Sequence, residues 1–137
     1  MAKIAWIIPV ERVLNNEHGD VVFDSPITQL ALEAFPNNYT FSIAFGIIDL
    51  NPKISNEIKF KMGVESNGYE VLSDLSFTLE NNLSQSLMTA IDKEFIEYST
   101  NINLNNFRFP IPGIYFIELE IDGNRMKINF KVTNKGV

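Results

Sequence analysis

Between Gly113 and Val132 two alternating apolar–polar runs flank the dipeptide Asp122-Gly123. That pair suits the two positive-φ positions of a type I′ turn, the loop whose twist matches a two-stranded ribbon. With it as the loop, Leu119 faces Met126, Ile117 faces Ile128 and Tyr115 faces Phe130 on one side. On the other side Glu120 faces Arg125 and Glu118 faces Lys127. A slip of one residue would exchange the faces and destroy both patterns, so side-chain chemistry sets the hairpin and its register. The Glu/Lys/Arg face reads as ordinary solvated sheet.

The chain upstream follows the same grammar, short alternating segments separated by Asn, Gly, Pro and Ser, which predicts an all-β protein. Ile4 to Ile8 is apolar on both faces, which predicts a central strand with Trp6 in the core; Pro9 predicts a bulge or a change of sheet. Val10 to Leu14 continues that strand, residues 15–20 form a turn, and Val21 to Phe23 a short return. From Asp24 to Asn38 the alternation fails, so this stretch is expected to be an irregular, sheet-crossing connection. Tyr39 to Ile47 alternates large with small residues, a strand whose small face lies under another segment or permits close backbone approach.

Asn67-Gly68 marks a second type I′ hairpin. Its two-residue register pairs Ile58 with Phe77, Phe60 with Leu75, Lys61 with Asp74 and Val64 with Val71, and sets Glu65 against Glu70. That like-charge pair opposes the register by a few tenths of a kcal/mol. Leu83, Leu87 and Ile91 recur at helical spacing, which predicts one or two turns of helix near 82–91. Ile96 to Leu104 alternates as a strand, and Phe109-Pro-Ile-Pro-Gly113 turns the chain into the final hairpin. The expected fold is an antiparallel β-sandwich of about eight strands, immunoglobulin-like or C2-like, with at most one short helix near 82–91. One domain spans 1–137, a length that buries roughly two-thirds of the unfolded surface.

Composition narrows the chemistry. With no cysteine, the chain has no thiolate for a disulfide, a metal or nucleophilic catalysis. The opening apolar run is cut by Pro9, too short for a signal peptide, and no segment approaches the ~20 apolar residues of a membrane span. A cytoplasmic protein, neither crossing nor binding a membrane, is expected. Abundant Asn, Ile and Phe codons point to an AT-rich genome, that of a low-GC bacterium or its phage. Net charge is −6, and between Met62 and Phe107 the acids Glu65, Glu70, Asp74, Glu80, Asp92, Glu94 and Glu97 stand against Lys93 alone. An acidic middle argues against a nucleic-acid partner, whose phosphates call for clustered bases; it suits a solvated face or a basic partner.

Pro112-Gly-Ile-Tyr115, followed by an alternating strand and Asp-Gly, resembles the late strands of immunoglobulin-like and C2-like sandwiches. The resemblance implies that Tyr115 hydrogen-bonds back across the corner before its strand. More narrowly, the chain is similar to a family of short, uncharacterised bacterial and phage all-β proteins of unknown function. The residues carrying this likeness are Lys3-Ile-Ala-Trp-Ile-Ile, Phe35-Pro36 with the strand from Tyr39 to Ile48, and Phe109-Pro-Ile-Pro-Gly-Ile-Tyr115. The chain departs from that family by a longer insertion between Glu80 and Asn105. The resemblance implies a fold and no activity.

His18, the one histidine, sits in the Glu17-His-Gly-Asp20 turn and has no nucleophile or orienting group beside it in sequence. No catalytic residue, cofactor site or metal site is assigned, and no enzyme is expected. Glu17, Asp20, Asn15 and Asn16, or Asp49, Asn51 and Asn56, would suit calcium by type, but they lack the dense Asp-x-Asp spacing; turn formation explains these Asn residues. Tyr39, Tyr69, Tyr98 and Tyr115 fall at strand positions, where a buried ring is the default. Phe107, Phe109 and Ile111 form a face that belongs either to the core or to a partner. The expected function is a non-catalytic protein-interaction module that binds another protein or a second copy through a sheet edge. A structural part of a phage particle or cell surface is the alternative, and a small-ligand or carbohydrate-binding module the third reading. The candidate partner surface is Asp92, Glu94, Glu97 and Glu70 with Phe107 and Phe109.

Overall fold

A computed structural model describes residues 1–15, 21–51, 53–66, 68–79 and 96–135. Nine strands lie among them: β1 (Lys3–Asn15), β2 (Val21–Pro26), β3 (Gln29–Leu32), β4 (Asn37–Leu50), β5 (Asn56–Val64), β6 (Glu70–Leu79), β7 (Ile96–Phe109), β8 (Gly113–Ile121) and β9 (Asn124–Asn134). They form a four-stranded sheet ordered β2-β1-β4-β7 and a five-stranded sheet ordered β3-β9-β8-β5-β6. All pairings are antiparallel except β3 with β9. The run β1-β4-β7 against β9-β8-β5-β6 follows the immunoglobulin-like plan, in which strands A, B and E oppose G, F and C with an added C′. The helix predicted near 82–91 lies outside the described residues. Among those described, no helix is long and apolar enough to cross a membrane.

The terminal hairpin has the predicted register throughout, from Ile121 against Asn124 to Tyr115 against Phe130. Asp122 (φ 49°) and Gly123 (φ 76°) supply the two positive angles of the type I′ loop. Its turn also reaches the other sheet. The Ala2 amide donates to Asp122 Oδ2 (3.2 Å) and the Ile4 amide to Asn124 Oδ1 (2.9 Å), tying the start of β1 to the hairpin. A Cβ on Gly123 would meet no atom within 4 Å, so Gly123→Ala tests backbone conformation alone. It is expected to destabilise the fold by about 1 kcal/mol; unchanged urea midpoints would contradict the turn assignment.

Tyr115 is buried, and its hydroxyl donates to the Ile111 carbonyl at 2.6 Å. This is the corner bond that the resemblance implies. Burial raises the phenol above the ordinary tyrosine value, partly offset by that bond. Around Tyr115 the inward faces of both sheets close one core, in which Phe41, Phe109 and Phe130 meet edge-on or tilted at 5.9–6.4 Å.

Four expectations need correcting. First, β1 runs straight through Pro9, and its register shift falls between Ile4 and Trp6. The Pro9 carbonyl accepts from the Ile27 amide (2.8 Å). A strand residue turns N–H and C=O to the same edge, so the missing proline N–H faces away from β4 and the ladder is undisturbed. Second, the Ile4/Trp6 shift turns Trp6 out of the core. Its half-buried indole lies over Gly46, whose missing side chain makes room, and edge-on to Phe23 at 5.6 Å.

Third, the stretch after Asp24 does cross between sheets, but it contains β3. This short strand buries Leu30 and Leu32 beside β9; four residues in parallel pairing are too few for alternation to declare itself. Fourth, the β5–β6 hairpin keeps its predicted register only from Asn56 against Leu79 to Met62 against Ser73. Leu72 is then an extra residue, Gly63 faces Val71, and Val64 faces Glu70 rather than Val71. The bulge removes the predicted clash, because Glu65 leaves the ladder with β6. Its amide donates to the Ile114 carbonyl (2.8 Å), and its carboxylate pairs with Lys127.

Candidate interaction face

The outer face of the five-stranded sheet divides into two zones, and the alternation of β8 builds both. Glu118 and Glu120 project from one half of the strand, Ile114 and Phe116 from the other. In the charged zone, cross-strand register sets Asp74, Lys61, Glu118 and Lys127 in one row and Ser76, Lys59, Glu120 and Arg125 in the next. Lys61, Glu118 and Glu120 each have an opposite charge on either side, Lys59 stands between Ser76 and Glu120, and Arg125 approaches Glu120 at 3.5 Å. Alternating rows of this kind neutralise one another and stay hydrated.

In the other zone Phe116 is fully buried although it points outward. Its ring lies over Gly63, and Tyr69 stacks on it at 5.0 Å and 9°. Lys127 Nζ stands 5.6 Å from the ring centroid. The Glu65 bond holds Lys127 above its ordinary pKa, and Asn129 Nδ2 donates to Glu65 Oε2 (3.1 Å) and to the Tyr115 carbonyl (3.1 Å). Tyr69 is 61% exposed, Ile114 45% and Val71 39%. These three side chains therefore surround an aromatic seat that an ion pair and an amide flank.

The sequence-predicted partner residues scatter. Phe109 is 0% exposed and belongs to the core, so it cannot meet a partner. Phe107 is half-buried against that core. Glu70 and Phe107 do come together: with Leu72, Ser73, Arg108 and Pro110 they line a 400 Å³ groove where the edges of β6 and β7 approach. Glu97 is exposed, but at the opposite end of β7 from Phe107. Asp92 and Glu94 lie outside the described residues, as do His18, Glu17, Asp20 and Asn16. The acidic middle does not gather into one patch among the described residues, since Glu65 pairs with Lys127 and Asp74 faces Lys61.

Asn51 and Asn56, considered for calcium, secure the β4–β5 turn instead. Asn56 Nδ2 donates to the Asn51 and Ile54 carbonyls (3.1 and 3.2 Å), and Asn51 Oδ1 accepts from the Lys53 amide (3.0 Å). Sequence reasoning missed Tyr69 by treating it as a strand residue. It lies just before β6, beside Gly68 at φ 99°, and its place next to the Asn-Gly turn was the available signal.

No family model and no curated protein matches the chain. Among solved structures it is similar to a beta-glucosidase from Kluyveromyces marxianus, at 10% identity and a TM-score of 0.35, over 84% of this chain. The chain spans 17% of that enzyme's length. A likeness at this level carries no argument about function.

Proposed function

We propose that this domain is a protein-interaction module that binds through the aromatic end of its five-stranded sheet. The observation that carries the reading is the cluster of Tyr69, Val71 and Ile114, exposed around the Phe116 ring. Tyrosine anchors on a preorganised seat contribute disproportionately at protein interfaces, because a large, stiff, amphipathic surface loses little entropy on binding. The charge rows beside the cluster form a polar rim.

Tyr69→Ser is expected to cost about 1 kcal/mol of stability from the lost ring stack and to remove the proteins that the immobilised parent domain retains from an extract of its source cell. Identical retention by parent and variant would overturn the proposal. The exposed Tyr69 ring also favours one second reading, a platform for a sugar ring; oligosaccharide binding lost in the same variant, with no protein retained by the parent, would select it.

A further inference from the structure

The row Lys127–Glu118–Lys61–Asp74 runs across four strands with alternating sign and ends on an acid at the edge of the sheet. That edge is open: β6 has β5 as its one paired neighbour among the described residues. From Ser73 to Leu79 it pairs with β5 without a shift, so its free side presents regularly spaced backbone N–H and C=O groups. Beyond the bulge at Leu72, the stretch from Ser73 to Leu79 carries no Pro, no Lys and no further bulge, three protections common on edge strands. Leu75, opposite the buried Phe60, projects on the inner side yet stays 48% exposed. An adjoining strand would bury it.

We propose that the β6 edge takes up an extended segment of another protein as a sixth strand of this sheet. The segment presents Lys or Arg opposite Asp74 on the outer face, continuing the charge row, and apolar side chains beside Leu75 on the inner face. Its inner side chains continue toward the groove between Glu70 and Phe107. A second copy of this chain is a poor occupant. The charges of β6 are Glu70 and Asp74 alone, so pairing β6 with itself brings acids together with no base to answer them. The inference deepens the interaction-module reading but does not depend on Tyr69.

The test uses two alternating peptides, Thr-Ile-Lys-Val-Lys-Ile-Thr and the same sequence with Glu in place of Lys, titrated into the whole chain. Amide chemical shifts report the site and calorimetry the affinity. The basic peptide is expected to bind roughly tenfold more tightly than the acidic one, to move amides of β6, and to lose its advantage at high salt. Asp74→Lys, an exposed substitution, is expected to reverse the preference, and Asp74→Asn to abolish it. Equal affinities, shifts away from β6, or a concentration-dependent dimer that Asp74→Lys dissociates would each overturn the proposal. If these fail while Tyr69→Ser still removes retained proteins, strand addition alone is rejected; if Tyr69→Ser changes nothing while the peptides bind as expected, the aromatic face is rejected and the β6 edge stands.

Discussion

Phe109→Ala is expected to lower the unfolding free energy by about 4 kcal/mol, the largest effect of any substitution considered for this domain. The ring is 0% exposed and touches four others: Phe107 at 5.0 Å, Tyr115 at 5.1 Å, Phe41 at 5.9 Å and Phe130 at 6.4 Å. Those neighbours come from β4, β7, β8 and β9, so both sheets lose packing at once. The backbone around the cavity is held in ladders that cannot collapse into it, which places the cost toward the upper end for large-to-small changes. Urea unfolding measures it. A variant as stable as the parent that had lost a partner would return Phe109 to the surface, where its alternating sequence context also allowed it to be.

Gly63→Ala is expected to cost about 3 kcal/mol by a different mechanism. A methyl group on residue 63 would overlap the Glu70 carbonyl oxygen and crowd the Phe116 ring. The first obstacle is backbone, which no change of rotamer relieves. The strand can escape only by giving up the bulge at Leu72, and the simple register that remains sets Glu65 against Glu70. Hydrogen exchange should therefore quicken along β6 as stability falls. Parent-like stability and exchange would mean that the bulge is dispensable. Gly123→Ala is the control for this argument, since its cost arises from φ with no steric partner.

Both predictions concern places where one-dimensional patterns allowed two answers. Phe109 belongs to a Phe-x-Phe-x-Ile face that alternation assigns to some apolar surroundings without saying whether they are core or partner. The second hairpin was legible where pairing was strong, from Ile58 with Phe77 to Lys61 with Asp74. It was illegible near the turn, where a glycine lets a neighbouring carbonyl close in. Trp6 shows the same limit. Its run is apolar on both faces, so period two could not assign it a side, and a shift beside Ile4 sends it outward over Gly46.

The candidate site was less legible than the fold. Tyr69, Val71, Ile114 and Phe116 come from β8 and from the turn and first residues of β6, on either side of β5, and nothing local in either segment marks them as one surface. Glu65 and Lys127 stand far apart in the chain and meet only because β5 and β9 flank β8. The acidic middle was a property of sequence order, and among the described residues folding lays a base of β5 beside Asp74 and a base of β9 beside Glu65.

By itself, then, the sequence determined the local units: the type I′ hairpin with its register and the long alternating strands of a two-layer β fold. Each depends on interactions between residues close in the chain or on the period-two pleat, which a linear pattern records in full. Tertiary structure alone decided which outward side chains were covered, where the edges lay open, and which charges met. Those outcomes depend on strand order and on the absence of a Cβ at Gly46 and Gly63, where backbone and rings from distant segments come close.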